Sequence, residues 1–166
     1  MDAYLRRLDT LLGDRDPLEV LRATPTHLQA VLDDPRFDPA RPWRDGGWDG
    51  RAILAHLADQ EVGFAFRARQ AVAAARTGVP DHVAQPYDQD AWAHDYGGMD
   101  PALAVASFSG LRAWNLAWLA RLDLRGWLAT YHQPERGTDE TVDALVRFLA
   151  GHDLNHLEQL GAILDA

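Results

Sequence analysis

A chain of 166 residues, 47% of them hydrophobic, fits one domain over residues 1–166 that can bury a sizeable core. It has no cysteine, which excludes disulfides, thiolate metal sites and a cysteine nucleophile. Its formal net charge of −9 argues against a general phosphate-backbone binder, so nucleic acid is not an expected partner.

No apolar run approaches the roughly 20 residues that cross a bilayer, so no membrane span is expected. The start, MDAYLRRLDTLLGDRD, lacks the basic-then-apolar order of a signal peptide, and the expected location is the cytoplasm. A short N-terminal helix is expected from about Asp2 to Leu12. Asp16-Pro17 is an N-cap followed by proline at the first helical position, and it opens a bundle helix that ends near Asp34. Thr24-Pro25 repeats that signal, so a break at Pro25 is expected. PRFDPARPWRDGG reads as a loop because its prolines and glycines forbid a long element. Asp49 caps a long helix from about Gly50 to Arg76, rich in alanine and apolar at 3.6-residue spacing. Thr77-Gly78 stops it. Val79 to Met99 reads as a loop with a short helix near Asp88 to His94. Asp100-Pro101 opens the third bundle helix, which runs to about Leu122. GWLATYHQPERGTDE reads as irregular, with no alternating strand pattern. Thr141 caps the last helix, VDALVRFLAGHDLNHLEQLGAIL. Long helices joined by irregular loops predict an all-α four-helix bundle with a short extra N-terminal helix.

The chemistry sits in the histidines. Of the seven in the chain, His152 and His156 stand four apart, which puts both imidazoles on one face of the last helix. They continue the apolar seam Val142, Leu145, Leu149, and Gln159 and Ile163 follow them, so they take core positions. Two buried imidazoles without partners would leave unpaired polar nitrogens at about 1–3 kcal/mol each, and a shared cation removes that cost. His56, in ILAHLADQE, is the candidate third ligand, since the other long helix carries it on the seam Ile53, His56, Gln60, Gly63. Three protein ligands leave an open coordination position, as in catalytic metal sites. Imidazole and oxygen ligands suit one divalent ion such as Zn, Ni, Fe, Mn or Co. His27, His82 and His94 read as surface or loop residues. The last helix carries His-Asp-Leu-Asn-His rather than His-Glu-x-x-His, so the metalloprotease base is absent. Gln60, Asp153, Asn155 and Gln159 are candidates to orient the imidazoles from behind. His132 and Glu61 are the candidate catalytic groups. Trp43, Trp48, Trp92 and His132 are candidates to line a cleft beside the metal.

These segments resemble the DinB/YfiT metal-binding four-helix-bundle superfamily. GGWDGRAILAHLADQE is similar to the start of that family's second helix, and GHDLNHLEQL is similar to its fourth-helix motif His-Asp-x-x-His-x-x-Gln. DPLEVLRATPTHLQAVL, PYDQDAW and YHQPERGTDETV also resemble its segments in order, so the likeness covers about Asp16 to Ile163. Asp49 stands where the family often has serine, and both are good caps. The resemblance implies an up-up-down-down bundle, a homodimer, and His56, His152 and His156 as metal triad. It also implies an activity like that of mycothiol- or bacillithiol-dependent S-transferases or the thiol-dependent maleylpyruvate isomerase, with a small-molecule substrate and a low-molecular-weight thiol as cosubstrate. Two other functions stay open: a metal-dependent hydrolase with Glu61 as base, and a non-enzymatic, stress-related metal-binding bundle.

Overall fold

Side-chain oxygens start most of the helices. In the computed structural model, which describes residues 2–78, 82–85 and 88–166, Asp16 accepts from the Leu18 amide and opens α2 (Pro17–Asp33). Asp49 caps α3 (Gly50–Thr77), Asp88 caps α4 (Gln89–Ala93) and Asp100 caps α5 (Pro101–Leu119). Asp123 caps α6 (Leu124–Trp127), and Thr141 caps α7 (Val142–Leu164). Each oxygen satisfies one of the amides that a helix start leaves without an intrahelical partner. The N-terminal α1 spans Asp2–Leu12, and a 3-10 turn covers Tyr96–Gly98. The expected loop beyond Gly78 is described only in part. Val79 to Asp81, and Pro86 and Tyr87 of PYDQDAW, lie outside the described residues.

Three expectations need correction. α2 does not break at Pro25. Proline has no N–H, so the Leu21 carbonyl one turn back loses its helical donor. Arg112 Nη1 donates to that carbonyl at 3.0 Å, and the helix continues. Next, α5 ends at Leu119 rather than near Leu122, because the amides of Arg121 and Leu122 bond back to Trp118 and Leu119 in tight turns. Finally, the stretch read as irregular holds strands. β2 (Thr130–Gln133) and β3 (Thr138–Thr141) form an antiparallel hairpin, and β1 (His82–Val83) pairs in parallel with β2. Strands of two to four residues carry too little alternation to be read. The hairpin turns at Gly137, whose φ of +63° suits a residue without a Cβ.

Four helices, α2, α3, α5 and α7, make the bundle. One apolar cluster joins Val20 and Leu21 of α2 to Phe64 to Val72 of α3, Leu119 of α5 and Val142 to Ala150 of α7. The other joins Leu28 of α2 to Ile53 to Ala58 of α3, Ala104 to Phe108 of α5 and Leu160 and Ile163 of α7. Passing from the first cluster to the second, α2 and α7 run forward while α3 and α5 run backward. Two helices thus run each way, as the resemblance implies, but their order along the chain is up, down, down, up. α1 lies along α7, and the two backbones come close at Gly151, where a Cβ would sit 2.7 Å from the Leu8 carbonyl oxygen. Among the described residues no helix is long and apolar enough to cross a membrane.

Candidate metal centre

Between the two apolar clusters lies a polar layer, and the three candidate ligands belong to it. His56 is fully buried in α3, and His152 and His156 are 3% and 6% exposed in α7. Their Nε2 atoms face one another: His56 to His152 is 3.0 Å and His156 to His152 is 3.2 Å. Three nitrogens bound at ~2.1 Å to one tetrahedral ion stand about 3.4 Å apart, so the cluster is already close to a ligand set.

Protonation agrees with that arrangement. Burial lowers His56 from 6.5 to about 3, and the nearby His156 adds to the shift. Burial likewise lowers His156 to about 4 against the opposing hydrogen bond to Gln159, and it drives His152 well below its ordinary value. The rings are therefore neutral near pH 7. His156 Nδ1–H donates to Gln159 Oε1 at 2.8 Å, which leaves the Nε2 lone pair pointing at its neighbours. A neutral imidazole offers its Nε2 as either one donor or one acceptor, so His152 Nε2 cannot serve both neighbours well. His152 Nδ1 also has no hydrogen-bond partner among the described residues. A cation shared by the three lone pairs resolves the conflict, and the residues fit one divalent ion. Trp48 packs edge-on against the His56 ring at 4.9 Å, and the Phe148 ring lies 5.9 Å from that of His152.

Behind the triad, one arginine ties the bundle together. Arg112 of α5 is 1% exposed and lies 2.7 Å from Glu61 Oε1 and 2.6 Å from Asp153 Oδ2. Burial alone would push its guanidinium down, but Asp153 and Glu61 outweigh burial and hold it up. Thr24 Oγ1 stands 2.8 Å from Asp153 Oδ2, and Asn115 Nδ2 donates to Glu61 Oε2 at 3.0 Å. With the Leu21 contact, this network reaches all four bundle helices. Asp153 adjoins His152 and Glu61 lies five residues beyond His56, so the network fixes the two histidine-bearing helices against each other.

Two cavities reach the triad. One of about 320 Å³ is lined by Trp43, Trp48, Asn155, His156 and Gln159. Another of about 500 Å³ has His152, Gln60, Arg67, Gln133 and Phe148 in its wall. Tyr4 of α1 and Gln89 of α4 line both, so the cavities adjoin.

Glu61 is fully buried, and its oxygens are taken by Arg112 and Asn115. Asp153 is buried and bonded to Arg112, not at the surface. Asn155 Oδ1 accepts from Arg7 Nε at 2.8 Å. His132 is half-buried on β2 with its Nδ1 2.8 Å from Asp139, and it lines neither cavity. Trp92 lines a separate, mainly apolar hollow with Val62 and Phe66. His27 and His94 are exposed, while His82 sits half-buried in β1. Sequence reasoning missed Tyr4, Arg67, Gln133 and Arg112. Arg112 left a signal, because Phe108, Arg112, Asn115 and Leu119 trace one buried line on an apolar helix. Gln60 and Gly63 were placed on the α3 seam, but the buried line passes through Leu57, Glu61 and Phe64.

Comparison with known proteins decides the family. The DinB superfamily profile matches residues 2–160. The chain belongs to the DinB superfamily. The match begins within α1, a segment the sequence resemblance had not covered. A Bacillus subtilis (strain 168) protein named "Putative metal-dependent hydrolase YfiT" is 24% identical over 148 residues, covering 86% of this chain and 79% of that one. A Bacillus pumilus (strain SAFR-032) protein named "Putative metal-dependent hydrolase" is 27% identical over 150 residues, covering 86% of this chain and 82% of that one. The solved structure of Bacillus subtilis YfiT, described as "a probable metal-dependent hydrolase with an unusual four-helix bundle topology", superposes with a TM-score of 0.79 at 22% identity, covering 89% of this chain and 83% of that one. This likeness shows that the four-helix-bundle fold is shared.

Proposed function

We propose that this DinB-superfamily protein is a divalent-metal-dependent enzyme for small molecules, with His56, His152 and His156 as its protein ligands. We further propose that it transfers an electrophilic group to the sulfur of a low-molecular-weight thiol. The observation that carries the reading is the convergence of three Nε2 atoms, with His156 in the wall of one cavity and His152 in the wall of the adjoining one. When bound, a divalent cation supplies Lewis acidity there and lowers the pKa of a thiol or a water. The chain does the rest. Burial keeps the imidazoles unprotonated, Gln159 sets the His156 tautomer, and Trp48 and Phe148 pack against the rings of His56 and His152. Two cavities give room for two molecules, one against His152 and the other against His156. In the transfer one C–S bond forms, the bond to the leaving group breaks with its electron pair, and the thiol proton leaves with that group.

A second reading, a metal-dependent hydrolase, is favoured by the names of the relatives. The placement of Glu61 gives that reading no base from the sequence candidates. Turnover of an electrophile panel by metal-loaded protein, with and without added thiol, separates the two. Thiol-dependent turnover that is absent in His152→Ala is the expected result. Turnover without thiol supports the hydrolase, and none under either condition leaves the non-enzymatic metal-binding bundle. A homodimer is also proposed, on the family resemblance, with sedimentation equilibrium as its test.

A further inference from the structure

The larger cavity beside His152 holds a positive charge that no carboxylate among the described residues pairs. Arg67 of α3 lines it half-buried, and among the described residues its guanidinium makes no ion pair. Its hydrogen bond, from Nη2 to the Gln85 carbonyl, is long at 3.4 Å. The cavity's other arginine is committed: Arg136 Nε lies 2.7 Å from Glu140, and the guanidinium sits 5.3 Å from the Phe148 ring centroid. Of the acidic groups in the wall, Asp88 caps α4 through the Ala91 amide at 3.0 Å, and Glu135 stands exposed on the hairpin turn. The partly desolvated and uncommitted charge is therefore positive. Gln133, 3% exposed on β2, adds a polar gap in the same wall, since its Oε1 has no hydrogen-bond partner among the described residues. A buried amide oxygen left unpaired is costly, so a ligand donor there is favoured. A guanidinium fork matches a carboxylate with two parallel N–H donors, and the bond strengthens where water is excluded.

We propose that this cavity binds a small molecule bearing a carboxylate, which pairs with Arg67, and an N–H or O–H donor, which Gln133 Oε1 accepts. The inference rests on the metal-dependent reading for what happens next to His152, and it adds the substrate class. Either the thiol or its acceptor can carry the carboxylate, since the recognition chemistry is the same.

The test compares N-acetyl-L-alanine with its neutral amide, and N-acetyl-L-cysteine with its neutral amide, by calorimetry on metal-loaded and metal-free protein. The acids are expected to bind roughly tenfold tighter than the amides. Arg67→Gln should abolish that preference and Arg67→Lys should keep part of it, while Gln133→Leu should weaken acid and amide alike. An Arg67-dependent preference shared by both acids means that the carboxylate is read independently of the thiol. The same preference confined to N-acetyl-L-cysteine assigns it to the thiol partner. Equal binding of acid and amide, a preference that survives Arg67→Gln, or no measurable binding of any probe overturns the proposal. Failure of the metal reading looks different: no metal is bound, yet the carboxylate preference persists in the metal-free protein.

Discussion

At His156 one hydrogen bond decides which nitrogen is offered inward. Gln159 Oε1 accepts from Nδ1, so the Nε2 lone pair faces His152. Replacing it, Gln159→Leu, should leave the fold intact and weaken metal binding by about 10–100-fold, read by competition with a chelator. An unchanged affinity would remove Gln159 from the account. The triad also sets a pH dependence. In the fold these imidazoles stay neutral down to about 3 for His56 and about 4 for His156, against 6.5 for an ordinary histidine. Below pH 6.5 the unfolded chain binds protons that the fold refuses, so stability falls with falling pH. The slope is at most about 1.4 kcal/mol per pH unit for each histidine. Denaturant titrations of metal-free protein should show this loss between pH 6.5 and 4, and the triple histidine-to-alanine variant should show a flatter profile. The pair four apart and the lone histidine on the other long helix were legible because they interrupt apolar seams. The role of Glu61 was not, since its partner Arg112 comes from a helix whose packing the sequence does not state.

Among the elements, α1 depends on a close approach. Gly151 of α7 leaves space for the Leu8 backbone, and a Cβ would stand 2.7 Å from that carbonyl oxygen. Gly151→Ala should cost roughly 1–3 kcal/mol in a denaturation curve and speed proteolysis within α1. An unchanged midpoint would mean that α1 contributes little to stability. The long helices were legible from their caps: Asp16, Asp49, Asp100 and Thr141 all do what their positions suggest. The hairpin was missed because its strands are short and their partners lie elsewhere in space. Pro25 misled for a related reason. A proline breaks a helix unless something satisfies the freed carbonyl, and here that donor lies 91 residues away in sequence.

The whole bundle hangs on a buried charge network that joins α2, α3, α5 and α7. Arg112→Met would leave Glu61 and Asp153 buried without their cation, at a cost of about 3–5 kcal/mol. Adding Pro25→Ala to that variant supplies a backbone donor to Leu21 and should recover about 1 kcal/mol, a coupling that a double-mutant cycle measures. The four-helix class was legible from periodicity, whereas the order of helix directions was not, because loop lengths alone leave several connections possible. The account as a whole turns on three imidazoles that share one ion. Elemental analysis of the purified protein beside its His56→Ala/His152→Ala/His156→Ala variant tests that directly. Close to one divalent ion per chain in the parent and almost none in a folded variant is the predicted result. A parent that binds no divalent ion, or a variant that keeps it, would contradict the account.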